Sequence, residues 1–69
     1  MDGLELQELS TWWSSQDTKT RKDVLREARF NSSDIKEYGL TKKSIKTIES
    51  EGWGAEAILK ARLRLGYYN

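Results

Sequence analysis

Leu6, Leu9 and Trp13 recur at helical spacing near the start of the chain, with Leu4 and Trp12 beside them. Asp2 followed three residues later by Glu5 resembles a capping box, so the spacing predicts a first helix over residues 3–14. A polar break, Ser14-Ser15-Gln16-Asp17, follows. Asp17 or Thr18 can cap a second helix over 18–29, whose apolar stripe is Val24, Leu25 and Ala28. Asn31-Ser32-Ser33-Asp34 offers side-chain oxygens to free backbone N–H groups and opens a third helix carrying Ile35 and Tyr38. Gly39 is expected to end it in the left-handed conformation. Thr41 caps a fourth helix with Ile45 and Ile48 inward, which Gly52 stops. Residues 55–65 are strong helix formers with Ile58, Leu59 and Leu63 able to face a core, and Gly66 closes this fifth helix before the aromatic tail Tyr67-Tyr68-Asn69.

The fold class is therefore all-α, a compact bundle of four or five short helices. No residue is Pro, and the five Gly fall where helix ends are expected rather than strand turns. At 69 residues the chain has room for one domain, 1–69, because a chain this short buries only about 60% of its unfolded surface. Leu, Ile, Val and Phe together number only fourteen, and a net charge of +1 keeps so aliphatic-poor a chain on the folded side. The three Trp and three Tyr must supply core volume.

Composition also narrows the chemistry. With no Cys and no His there is no thiol nucleophile, imidazole base, disulfide or Cys/His zinc site, so an enzyme is not expected. Glu49 and Glu51 fall on different helix faces, and Glu5 and Glu8 are one turn apart without a third ligand; no metal or cofactor is expected. The longest purely apolar run is Ala57-Ile58-Leu59, too short for a signal segment or a membrane span, which points to a soluble, cytoplasmic protein.

Charge is unevenly spread. Residues 1–17 carry four acids and no base, residues 18–48 carry nine Lys or Arg against four acids, and residues 49–69 are balanced. Such asymmetry marks either a partner surface or an acidic helix packed beside basic ones.

The stretch Ser32-Ser33-Asp34-Ile35-Lys36-Glu37-Tyr38-Gly39-Leu40-Thr41-Lys42-Lys43-Ser44-Ile45-Lys46-Thr47-Ile48-Glu49 resembles the helix-turn-helix of excisionases, MerR-type regulators and other small phage or bacterial DNA-binding proteins. Ile35 stands four residues before Gly39, where a small residue is usual in that pattern. The resemblance implies a turn at Gly39, with Leu40, Ile45 and Ile48 locking the second helix onto the first. It implies double-stranded DNA as partner, met in the groove by Lys42, Lys43, Ser44, Lys46 and Thr47. Arg21, Lys22 and Arg26 are placed to reach flanking phosphates. Downstream, Gly52-Trp53-Gly54 and the helix after it resemble a helix-hairpin-helix with a shortened loop, and a plain interhelical turn is the simpler reading. The alternative function is a small protein-binding module or inhibitor, as a homodimer or on another protein, acting through acidic helix 1 with Trp12 or Trp13 and through Tyr67 and Tyr68. Trp12 and Trp13 lie about 100° apart on a helix, so one of them is expected to stay exposed.

Overall fold

In a computed structural model of the chain, residues 3–40, 45, 48 and 54–67 are described. They form α1 (Gly3–Ser15), α2 (Thr18–Glu27), α3 (Ser32–Leu40) and α4 (Gly54–Leu65), with no strand among them. The Cα radius of gyration is 10.5 Å, close to the roughly 11 Å expected of a compact domain this long. No helix among the described residues is long and apolar enough to cross a membrane.

Local chemistry sets the helix ends. The hydroxyls of Ser14 and Ser15 donate to the carbonyls of Ser10 and Trp12 at 2.9 and 2.7 Å, closing α1. The Asp17 carboxylate accepts from the Thr20 N–H at 2.8 Å and caps α2. That hydrogen bond holds the Asp17 carboxyl below its ordinary range. The Asn31 side chain caps α3 in the same way, through the Asp34 N–H at 2.8 Å. Asp2 and Thr41, the other expected caps, lie outside the described residues.

Two helices end identically. At α2, the Arg29 N–H donates to the Arg26 carbonyl and the Phe30 N–H to the Leu25 carbonyl, with Arg29 left-handed at φ 68°. At α4, Gly66 and Tyr67 donate to Leu63 and Arg62, with Gly66 at φ 82°. Both are Schellman motifs. The first shortens the second helix, expected to reach residue 29, to Glu27.

Gly39 departs from expectation. It lies inside α3 and is not left-handed. A Cβ there would stand 2.6 Å from Lys22 Cγ and 3.3 Å from Lys22 Cε, so glycine is required because the Lys22 stem lies along it. Gly54 is likewise a packing glycine, its missing Cβ leaving room for Ile48 Cγ2 and the Phe30 ring.

The core is built around α2, which packs against both α3 and α4. Val24 and Leu25 are fully buried among Leu9, Trp13, Ile45 and Ile58, with Ile48, Ala28, Ala55 and Ala61 around them. Ile45 and Ile48 are inward as the spacing predicts. Leu59 is only half-buried, and Leu63 and Leu65 are exposed. On α4 the inward stripe runs through residues 54, 55, 58, 61 and 62, which turns Leu63 away from the bundle.

Candidate nucleic-acid interface

The expected phosphate contacts on α2 separate into two groups. Arg21 is 1% exposed. Its guanidinium donates to the carbonyls of Gln16, just past the end of α1, and of Gly39, in the last turn of α3 at 3.2 Å, and to the Thr18 hydroxyl at 3.5 Å. A cation set at two helix C-termini meets the negative ends of both dipoles and takes up carbonyls the helices leave unpaired. Arg21 is therefore a brace joining α1, α2 and α3, and it is not placed to touch a phosphate. The sequence assignment failed because Arg21 falls between Thr20 and Lys22 in a polar run, although its spacing to Val24, Leu25 and Ala28 puts it on the inward face.

Arg26 is exposed on α2 and Lys22 is half-buried at the seam with α3, and exposed Lys19 joins them at helical spacing. Lys19 and Arg26 both pair with Asp23, at 3.2 and 2.8 Å, through exposed groups that contribute little to stability. Exposed Arg29 sits just past the end of this row and lines a shallow cleft with Asp23, Arg26, Glu27, Leu65 and Tyr67. The Lys22 stem, lying on Gly39, brings α2 against the end of α3 from which the chain runs into residues 41–44. Lys42, Lys43, Ser44, Lys46 and Thr47 lie outside the described residues, as do Trp53 and Tyr68.

The two tryptophans of the expected aromatic interface are not on the surface. Trp12 is 5% exposed and Trp13 fully buried. The chain has few large aliphatic side chains, so both indoles are drawn into the core, and Trp13 goes in even though its Nε1–H finds no acceptor among the described residues. Trp12 is covered by a residue that the sequence reading left unassigned. Arg62, itself 4% exposed, stacks over the Trp12 ring at 4.5 Å. It also forks onto both Glu8 oxygens at 2.8 and 3.0 Å, and its Nε donates to the Tyr67 carbonyl at 2.6 Å. The hydrogen bond from Arg62 lowers the Glu8 carboxyl below its ordinary value of 4.5. Tyr67 is half-buried, its ring 6.1 Å from that of Trp12. The signal for this clasp was available, since Arg62 falls four residues after Ile58 on the inward stripe of α4.

Among the described residues no group of three or more acids could hold a metal ion. Comparison with protein families, with curated proteins and with solved structures finds no match.

Proposed function

We propose that the chain is a small double-stranded DNA-binding protein, in which residues 42–47 enter the major groove while Lys19, Lys22 and Arg26 of α2 rest on the flanking phosphates. The observation that carries this reading is the seat of Lys22. Its stem on Gly39 sets the cationic side of α2 beside the point where α3 gives way to the lysine-rich stretch. Burial of Ile45 and Ile48 supports it further, because these are the two residues that the spacing of the expected fourth helix makes its inward stripe. Backbone cations would supply the salt-dependent affinity and fix the register, and the groove residues would supply any preference among sequences.

Fluorescence anisotropy with labelled duplex DNA over graded salt tests the reading. Three phosphate contacts, from Lys19, Lys22 and Arg26, give log K against log salt a slope of about −3. The double variant Lys43→Glu, Lys46→Glu should abolish binding while leaving the far-ultraviolet dichroism helical. A wild-type protein that binds no duplex at low salt would reject the proposal. The second reading, a protein-binding module, is favoured by one observation. Leu4, 81% exposed, stands at the rim of a groove on α1 lined by Glu8, Thr11, Trp12 and Arg62.

A further inference from the structure

The same backbone motif closes α2 and α4, and the two copies carry different residues at the left-handed position: Gly66 in one and Arg29 in the other. Glycine adopts that conformation without steric penalty, whereas a side chain with a Cβ is strained there. Where geometry alone decides, as at Gly66 with nothing within 4 Å of its absent Cβ, this chain uses glycine. Arginine at the equivalent point of α2 is a strained choice, and nothing inside the described fold repays it. Arg29 is exposed, and among the described residues its guanidinium has no hydrogen-bond or ion-pair partner. Its neighbours are already engaged, Arg26 with Asp23 and Glu27 with Arg64.

We infer that Arg29 is a phosphate-contact residue for duplex DNA, held by the turn after α2 so that its guanidinium extends the row of Lys19, Lys22 and Arg26. This rests on the DNA-binding reading above and adds to it a residue to which that reading gives no role. From Lys19 to Arg26 the row spans seven residue steps, about 10 Å at 1.5 Å per residue, and Arg29 stands just past the end of the helix. With one phosphate per 3.4 Å of axis on each strand, that length matches about three base-pair steps. A planar guanidinium with its donors unspent among the described residues is the group best suited to fork onto a phosphate at the end of such a row. The left-handed backbone is then the strain tolerated to hold this cation beyond the end of the helix.

The test is the variant Arg29→Gly in the full chain, read by urea denaturation and by titration of mixed-sequence duplex DNA at several salt concentrations. Glycine suits the left-handed turn, so the denaturation midpoint should equal or exceed that of the wild type. Affinity should fall about three- to tenfold, and the salt slope should become shallower by about 0.9, the signature of one lost phosphate contact. Arg29→Lys, which keeps the charge and the strain, should retain the wild-type slope. A lowered midpoint in Arg29→Gly would make Arg29 a structural residue and overturn the inference. So would wild-type affinity and slope in Arg29→Gly, while leaving the DNA-binding reading intact. Failure of the wild type itself to bind duplex would show that the underlying reading is wrong, and it is visible before any variant is made.

Discussion

Arg21, Gly39 and Lys22 meet at one junction, and each is there for a different reason from the one its residue type suggests. Arg21 looks like a surface cation and is a buried brace on two helix ends. Gly39 looks like a turn glycine and is a bearing surface for the Lys22 stem. This makes the pair separable by a double-mutant cycle. Gly39→Ala alone forces its Cβ into Lys22 Cγ, an overpacking that costs about 1–3 kcal/mol against a helix-propensity gain of about 1 kcal/mol. Urea midpoints should therefore show a net loss. In a Lys22→Ala background the same substitution should become stabilising, since the stem is gone and only the propensity gain is left. A loss of equal size in both backgrounds would mean that the Lys22 contact is not what excludes a side chain at position 39.

At the level of elements, the four described helices and three of their ends were legible because each of those starts and stops is a local transaction. Asp17, Asn31 and Gly66 act within three or four residues of themselves, so spacing in the chain is enough to find them. What spacing cannot give is which long polar side chain turns inward. Arg62 and Arg21 are buried through partners 54 and 18 residues away. The Arg62 clasp has a measurable consequence. Its hydrogen bond lowers the Glu8 carboxyl in the folded chain below 4.5. A group whose folded value is depressed contributes stability above its unfolded value and loses it as pH falls through the folded one. Chemical denaturation from pH 7 to pH 2 should thus show stability declining below about pH 4.5. Glu8→Gln should flatten that decline, leaving the part due to Asp17. An unchanged acid limb in Glu8→Gln would dissociate the clasp from acid sensitivity.

Over the whole molecule, a chain short of aliphatic residues completes its core with both adjacent tryptophans, the alkyl parts of arginines and two isoleucines from the 45–48 stretch. The fold class followed from composition and punctuation. The fate of Trp12 and Trp13 did not, because how many sides of α1 are covered depends on where α4 and its tail lie, and Tyr67 and Arg62 close over the side that a helical wheel leaves open. The candidate interface divided in the same way: Arg26 was legible as an outward cation, whereas Arg29 needed its backbone conformation to be seen. Because Ile48 packs where Gly54 and the Phe30 ring approach, Ile48→Ala should cost about 2–5 kcal/mol in a denaturant midpoint analysis. A loss below about 0.5 kcal/mol, the range of an ordinary surface substitution, would place Ile48 outside the core.

The clasp between Glu8, Trp12, Arg62 and Tyr67 also sets how the molecule would respond to tension. It joins the first helix to the end of the last one, so a pull between the two ends of the chain loads this seam before any other. Behind the clasp α1 is held by Leu9 and Trp13 in the core, whereas α2 is gripped by both α3 and α4 away from the line of force. Under load the ring formed by the chain should open at its clasp first, peeling α1 away and leaving α2 seated between its two neighbours.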